Sequence, residues 1–184
     1  RRRGSVGRPL PHARVRVADD GQIMVSGVTL HGYLGDVPRR PGEEWATGDL
    51  GEIDADGYVY VRGRIRNVFI TSFGRNVAPE WVEREIAQHP GAPHVMVHGE
   101  ARPYAVAIVS APRESADDAT IDRAIAAANA TLPEYAQVRR WQRAPEPFSF
   151  DNGLLTSNGR LRRPEIVQRH GDLLDAMYRA GLDS

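Results

Sequence analysis

The first third of the chain alternates short runs of β-forming residues with turn residues. Four such runs are predicted to pair as two hairpins, residues 14–17 with 23–26 and residues 50–54 with 58–62. The first hairpin turns at Asp19-Asp20-Gly21, because Asp-Gly between β-forming runs is a strong hairpin signal. Residues 55–57 form the second turn, and residues 30–45, rich in glycine and proline, are predicted as a loop. Residues 1–65 are therefore predicted to form a small all-β subdomain.

Beyond residue 66 the pattern changes, and helical periods alternate with strand-like runs. The predicted strands are residues 68–71, 94–98, 104–110 and 138–143, and the predicted helices are residues 80–88, 117–131 and a last one that begins at Pro164. Pro79 followed by Glu80 is typical of a helix N-terminus, where proline loses no hydrogen bond and the helix dipole favours acidic residues. We predict a domain boundary at residue 66 and a compact α+β domain over residues 66–184, so the fold class is α+β. We find no internal repeat.

Composition narrows the classes of function. The chain has 184 residues, 41% of them hydrophobic, so it is long enough to bury a core. Its formal net charge is zero, which argues against a nucleic-acid partner, because binding to phosphate backbones needs clustered positive charge. The chain has no cysteine and no apolar run of the roughly 20 residues that a transmembrane helix needs. We expect a cytoplasmic protein without a signal peptide, and the spacing of the histidines predicts no metal site.

All 24 basic residues are arginines. Arginine stays protonated and binds oxyanions through a planar fork, whereas lysine is a compact point charge. Coding bias toward arginine is the simpler explanation of this composition. The chain begins at Arg1 and not at a methionine, so we expect it to be a fragment.

The candidate chemistry of the β part centres on Thr47-Gly48-Asp49-Leu50-Gly51. Asp49 offers an acceptor-only carboxylate in a predicted tight turn, which suits two neighbouring hydroxyls such as those of a ribose. Gly63 and Arg64 close the second hairpin, and the Arg64 guanidinium can hold ribose or phosphate oxygens. The alternative is that Asp49 only caps a turn. The joint occurrence of the two motifs favours a nucleotide site at Asp49 and Arg64.

Further motifs follow Asp49 in order along the chain. Gly63-Arg64-Ile65-Arg66-Asn67 precedes Thr71-Ser72-Phe73-Gly74-Arg75-Asn76-Val77-Ala78-Pro79-Glu80. With the Asp49 motif, they resemble the hinge region of the adenylate-forming enzymes, the superfamily of acyl-CoA synthetases, nonribosomal adenylation domains and beetle luciferases. Gly4-Ser5-Val6-Gly7-Arg8-Pro9-Leu10-Pro11 resembles the entry to the small β subdomain of that family, and Gly32-Tyr33-Leu34-Gly35 resembles its segment before the Asp49 motif.

The resemblance implies that residues 1–65 are the last β subdomain of a large AMP-binding domain and residues 66–184 its mobile C-terminal lid. The family's phosphate loop and its aromatic-Gly-x-Thr-Glu segment are missing, so most of the adenine and acyl pockets are expected outside the chain. Arg66 and Asn67 stand at the hinge position, where the family more often has aspartate or lysine. A hinge needs residues that absorb a backbone rotation while their side chains stay solvated. The alternative is that Arg66 is only an exposed linker residue.

Phe73, Gly74 and Arg75 resemble the loop that lines the pantetheine channel of the family during thioester formation. Gly74 would allow the backbone to approach a ligand closely. A plain strand-to-helix turn explains Gly74 equally well. Only the order of the neighbouring motifs favours a CoA channel.

The segment 152–163 resembles the last motif of the family, in the form met in long-chain fatty acyl-CoA synthetases. There a lysine two residues before a basic pair lies between the substrate carboxylate and the α-phosphate. Arg160 takes its place here, which keeps the charge but changes its bulk and geometry. Arg160 is thus the predicted catalytic residue. Adenylation is the step that the replacement of the family lysine by arginine is expected to affect. Arg162 and Arg163 are either solvated residues ahead of the last helix or ligands of CoA phosphates.

The resemblance as a whole implies an ATP-dependent acyl-CoA synthetase with ATP or AMP, CoA and Mg²⁺ as cofactors, although no magnesium ligand is identified in the chain. A carboxylate, expected to be a fatty acid, reacts with ATP to give acyl-AMP, and CoA then displaces AMP. The implied partner is the missing N-terminal domain of the same enzyme, and the chain alone is expected to be inactive. The alternatives are a weakened homologue whose lid is an interaction module and an adenylating enzyme that loads a carrier protein.

Overall fold

Both predicted hairpins are present in the computed structural model, which describes residues 2, 4–27, 40, 42–91, 94–112, 114 and 116–179. The chain divides into unit 1, Arg1–Val68, and unit 2, Phe69–Ser184. The predicted loop residues 30–39 and the motif Gly32-Tyr33-Leu34-Gly35 lie outside the described residues. None of the helices in the described part is long and apolar enough to cross a membrane.

Unit 1 is a four-stranded antiparallel sheet with its strands in sequence order. The strands are β1 (Arg14–Val17), β2 (Gln22–Ser26), β3 (Trp45–Ile53) and β4 (Val59–Arg64). The turn between β3 and β4 forms around Asp54, whose carboxylate accepts the backbone N–H groups of Asp56 at 3.0 Å and Tyr58 at 2.9 Å. Such a side-chain bond is the usual reason for aspartate at a turn. β3 is longer than predicted and includes the whole Asp49 motif.

Unit 2 contains five strands and three helices among the described residues. They follow the chain as β5 (Phe69–Ile70), β6 (Asn76–Val77), α1 (Pro79–Ala87), β7 (His94–His98), β8 (Ala105–Ser110), α2 (Asp118–Asn129), β9 (Val138–Arg143) and α3 (Arg163–Arg179). α1 begins at Pro79, as predicted, and α2 follows Asp117, whose side chain accepts the N–H of Thr120 at 2.8 Å. This bond satisfies one of the free donors of the first helical turn.

The order of the main sheet of unit 2 is β7-β8-β9, with β7 antiparallel and β9 parallel to β8. Every residue of β8 is buried. Its alternate residues enter two different cores: Ala105, Ala107 and Val109 pack with α1 and α2, whereas Val106 and Ile108 pack with α3. Because successive side chains of a strand point to opposite faces, a strand that is apolar throughout needs cover on both. The α+β class predicted from the sequence is confirmed.

α3 is interrupted at His170, whose backbone angles of φ −118° and ψ 23° are not helical. The imidazole is buried and stacks on Phe148 with ring centroids 6.1 Å apart. Its Nε2 has no hydrogen-bond partner among the described residues. Burial lowers the pKa of His170 below its ordinary value; Arg169 acts in the same direction, and Glu146 opposes it.

The stability of unit 2 is expected to fall in mild acid. A histidine whose folded pKa lies below its unfolded pKa binds fewer protons when folded, so its contribution is complete above about pH 6.5 and is lost as the pH falls towards the folded value. Burial lowers the pKa of His98 as well. Urea unfolding between pH 7.5 and 5.0 is expected to show this loss, and His170→Leu is expected to reduce it. His89→Gln, at a partly exposed position, is the control. An unchanged pH dependence in His170→Leu would contradict the assignment.

Candidate functional site

Asp49 and Arg64 lie opposite each other on β3 and β4. Arg64 Nε is 2.7 Å from Asp49 Oδ1, and Arg64 Nη1 donates to the carbonyl of Thr47 at 3.2 Å. The Thr47 hydroxyl donates to the carbonyl of Ile23 at 2.8 Å and accepts the N–H of Asp49 at 3.0 Å. The two residues predicted as a nucleotide site are therefore in direct contact, and Thr47 fixes the backbone beneath them.

The prediction that Asp49 lies in a tight turn is wrong. Asp49 is inside β3, opposite Arg64 of β4, and a bulge follows between Leu50 and Gly51. About one quarter of its side chain is exposed, 26%. A carboxylate has about four acceptor positions, so the contact with Arg64 leaves capacity for ligand hydroxyls. The nucleotide-binding role of the pair stays a prediction.

The predicted hinge residues Arg66 and Asn67 lie in a single 3₁₀ turn, Ile65–Asn67, directly after β4. Arg66 is exposed, as a hinge residue should be, whereas Asn67 is half-buried. The N–H of Val68 donates to the carbonyl of Ile65 at 3.3 Å and closes this turn. Short 3₁₀ segments are common connectors, and some mark hinges. The hinge role stays a prediction.

Phe73, Gly74 and Arg75 belong to a five-residue turn, residues 71–75, that joins β5 to β6. Thr71 N–H donates to the carbonyl of Arg75 at 3.0 Å, and Gly74 N–H donates to the carbonyl of Thr71 at 2.9 Å. The Thr71 hydroxyl accepts the N–H of Arg75 at 3.1 Å. Gly74 has φ 73°, in the left-handed region where side chains are strained. We call this segment turn A.

Turn A borders a cleft of about 370 Å³ within unit 2. Phe73 is 76% exposed there, and Arg75 lies over the Tyr135 ring, 5.8 Å from its centroid. Arg139 also lines the cleft and pairs with Glu134 at 3.1 Å. Exposed aromatic rings beside guanidinium groups can take a ligand that has both apolar and anionic parts. The assignment of Phe73, Gly74 and Arg75 to a CoA channel stays a prediction.

Arg160 closes a second five-residue turn, residues 156–160, which we call turn B. Its ends are joined by Thr156 N–H to the carbonyl of Arg160 at 2.8 Å, and Gly159 N–H donates to the carbonyl of Thr156 at 2.9 Å. The Thr156 hydroxyl accepts the N–H of Arg160 at 3.0 Å. Arg160 is exposed, and in the described part of the chain its guanidinium has no hydrogen bond or ion pair. That group is therefore available to an anion.

Arg162 and Arg163 differ in their surroundings. Arg162 is exposed and pairs with Glu165 one helical turn on, as a solvated residue would. Arg163 forms an ion pair with Glu83 of α1, and the two side chains are only 17% and 12% exposed. Both interpretations of Arg163 from the sequence are wrong, because its charge is neither solvated nor free for CoA phosphates.

The Glu83–Arg163 ion pair also binds the backbone of β7. Glu83 Oε1 accepts the N–H of Val97 at 2.8 Å, and Arg163 Nη1 donates to the Val97 carbonyl at 3.4 Å. Burial raises the pKa of Glu83, whereas Arg163 and the Val97 amide lower it. The first residue of α3, three residues after Arg160, is thus attached to α1 and β7. The sequence analysis missed Glu83, since only folding brings residues 80 positions apart into contact.

Turns A and B share the pattern Thr-Ser-x-Gly-Arg, at residues 71–75 and 156–160. The conclusion that the chain has no internal repeat is therefore wrong at the scale of five residues. A search for recurring pentapeptides would have singled out Thr71 and Thr156. No hydrogen bond or ion pair joins the two turns within the described residues.

Histidine and acidic side chains form no metal-binding group of three or more in the part of the chain that the structure describes. His94 and His98 lie on β7, and His98 is half-buried. No residue set in the described part is therefore assigned to Mg²⁺.

Comparison with known proteins places the chain in a family. The family model for the AMP-binding enzyme C-terminal domain matches residues 66–181. The chain is 28% identical over 95% of its length to the long-chain-fatty-acid–CoA ligase FadD15 of Mycobacterium tuberculosis and spans 34% of that relative. It also matches the human long-chain-fatty-acid–CoA ligase 1 with 26% identity over 95% of the chain and 31% of that relative. The chain thus spans about one third of the length of these curated relatives.

Two solved structures agree in fold. E. coli MenE with a bound analogue of OSB-AMS has 26% identity and a TM-score of 0.60 over 90% of this chain and 36% of that one. The adenylation domain of a carboxylate reductase from Mycobacterium chelonae has a TM-score of 0.71 over 94% of this chain and 31% of that one, and its 21% identity makes this a likeness of fold alone. These matches confirm the resemblance predicted from the motifs.

Loss of one partner of the Glu83–Arg163 pair is expected to destabilise unit 2 strongly. Glu83→Gln and Arg163→Met should each lower the free energy of unfolding by about 3–5 kcal/mol, because the other charge stays buried without its partner. Urea unfolding of the two single variants and the double variant measures this effect, and the double variant should lose less than the sum of both. The exposed pair Arg162–Glu165 is the matched control, and Glu165→Gln should cost about 1 kcal/mol or less. A cost below 1 kcal/mol for Arg163→Met would show that the buried pair is not structural.

Proposed function

Because the chain belongs to the family of AMP-binding enzyme C-terminal domains, we propose that it is the C-terminal part of an acyl-CoA synthetase of the long-chain fatty acid type. In the proposed enzyme, residues 1–65 are the last β subdomain of the large domain and residues 66–184 are a mobile lid that turns about Arg66 and Asn67. The curated relatives in the comparison are fatty-acid–CoA ligases by name, which supports this type. The observation that carries the proposal is the exposed guanidinium of Arg160, the last residue of turn B. The motif resemblance predicts that this residue stands at the position of the family lysine.

The first step joins the carboxylate to ATP. A carboxylate oxygen forms a bond to the α-phosphorus, and the bond to pyrophosphate breaks. Two anions approach each other in this step, so a fixed positive charge between them lowers the barrier. Arg160 supplies that charge. ATP brings Mg²⁺ with it, and the proposal assigns the ion to no residue of this chain.

The Asp49–Arg64 pair holds the nucleotide in both steps. Asp49 accepts hydrogen bonds from the two ribose hydroxyls, and Arg64 orients the carboxylate through the 2.7 Å contact. The pair is on the surface of unit 1, where its net worth for folding is small. Its geometry therefore matters for the ligand more than for the stability of the sheet.

The second step forms the thioester. The thiol of CoA loses its proton to solvent, its sulfur bonds to the acyl carbon, and AMP leaves with the electron pair of the broken C–O bond. Turn A, with the exposed Phe73 and with Arg75, borders the path of the CoA arm in this proposal. The lid presents turn B in the first step and turn A in the second, so rotation at residues 66–67 separates the two reactions.

The role of Arg160 is tested by substitution in the full-length protein that contains this chain. Arg160→Ala is expected to lower the rate of carboxylate-dependent pyrophosphate release by about 100- to 1,000-fold, because a charge at the reacting centre is lost. Arg162→Ala, also exposed and two residues away, should change the rate by less than about threefold. Equal rates in the two variants would refute the assignment.

Arg160→Lys in the same assay separates the proposal from the alternative of a weakened homologue. A large gain in rate indicates an enzyme impaired by arginine, whereas a loss indicates that the site has adapted to the guanidinium. Offering CoA and a carrier protein as acceptors in parallel distinguishes a CoA ligase from an enzyme that loads a carrier. The 184-residue chain alone, expected to release no pyrophosphate, is the blank.

Asp49→Asn is expected to raise the KM for ATP by about 10- to 100-fold, because hydrogen bonds to a charged acceptor are worth more than those to an amide. The stability of the sheet should change little. Glu52→Gln, on the same strand and paired with Arg62, is the matched control. A KM in Asp49→Asn equal to that of Glu52→Gln would mean that the carboxylate does not touch the nucleotide.

A further inference from the structure

Turns A and B are two copies of the same turn motif. Both begin with threonine and end with arginine, both are closed by the same two backbone hydrogen bonds, and in both the threonine hydroxyl accepts the arginine N–H. Gly74 and Gly159 have φ values of 73° and 75°, which only glycine adopts without strain. Two segments 85 positions apart, from 71 to 156, therefore share sequence, hydrogen bonds and backbone conformation.

The threonine hydroxyl has a specific task in this geometry. The arginine that ends each turn directs its N–H into the turn, where the carbonyl of the threonine already accepts the N–H of the glycine. The hydroxyl oxygen is the acceptor for this N–H, at 3.1 Å in turn A and 3.0 Å in turn B. This local bond from a side chain to the backbone favours the turn conformation, so the hydroxyl helps to hold the Cα of the arginine in place.

The third position is where the two turns differ. In turn A it is Phe73, whose ring is exposed. In turn B it is Asn158, whose Oδ1 accepts a hydrogen bond from the Thr156 hydroxyl. Each turn therefore places an arginine at the same backbone position next to a different side chain, apolar in turn A and polar in turn B.

We propose that Thr71 and Thr156 are positioning residues, which place Arg75 and Arg160 for contact with oxyanions of the ligands. The third residue of each turn then determines which other part of a ligand fits beside the arginine. Turn A takes an anion that has an apolar arm beside it, and turn B takes a reacting pair of anions. This inference rests on the proposed function for the identity of the anions, phosphate and carboxylate. The contact of hydroxyl and arginine N–H does not depend on it.

The positioning is tested first on the 184-residue chain by amide hydrogen exchange. Thr156→Val keeps the shape of the side chain but removes the acceptor, so the Arg160 N–H should exchange at least about tenfold faster, and Thr156→Ser should restore slow exchange. Thr71→Val and Thr71→Ser should act in the same way on Arg75. Thr131→Val, which removes a threonine hydroxyl bonded to Ala128 at the end of α2, is the matched control and should leave both arginines unchanged. Unchanged exchange in the valine variants would overturn the inference.

The consequence for the reaction is tested in the full-length protein. Thr156→Val should lower the kcat of pyrophosphate release by about five- to tenfold with little change in the KM for ATP, and Thr156→Ser should recover most of it. Thr71→Val should instead lower thioester formation from preformed acyl-AMP. Equal effects of valine and serine at either position would overturn the inference. A wild-type protein that adenylates no carboxylate would refute the proposed function, and the exchange experiment would then decide the positioning of the arginines by itself.

Discussion

The buried ion pair between Glu83 and Arg163 is the contact on which the geometry of unit 2 depends. It joins α1 to the first residue of α3, and both side chains also bond the backbone of Val97 in β7. A buried charge is stable only where its partner and its hydrogen bonds are all in place, so these three elements keep one arrangement. Arg163 is only three residues from Arg160. The ion pair therefore fixes the position of the chain directly after turn B.

The two cores on either side of β8, together with turns A and B, explain how unit 2 can present different surfaces. β8 is buried on both faces and separates the core under α1 and α2 from the core under α3. Turns A and B lie outside these cores, and each is stabilised by hydrogen bonds among its own five residues. A turn that supplies its own bonds can present an arginine to a ligand without weakening the packing beneath it. The two cores fix where each turn lies, and the hydrogen bonds within each turn orient the backbone of its arginine.

Much of the architecture was predictable from the sequence because it follows from local rules. Asp-Gly marked the first hairpin, Pro79 marked the start of α1, and the strands of residues 94–98 and 138–143 were predicted with the bounds that the structure has. The two-residue strands β5 and β6 were only partly predicted, because a run of two residues carries no period. The parallel pairing of β8 with β9 was not predicted, since strand order depends on a crossover through α2. Asp49 was placed in a turn because the tripeptide Thr47-Gly48-Asp49 consists of residues that are frequent in turns.

The sequence by itself determined the fold class, the family and the candidate residues, because periodicity, turn residues and ordered motifs are properties of neighbouring positions. It also contained the recurrence of Thr-Ser-x-Gly-Arg, although not its meaning. The tertiary structure decided that Asp49 and Arg64 are in contact, that Arg163 is buried against Glu83, and that Arg160 is left exposed. Whether an arginine binds a ligand or a carboxylate of its own chain depends on which distant residue folding brings beside it, and no local pattern contains that information.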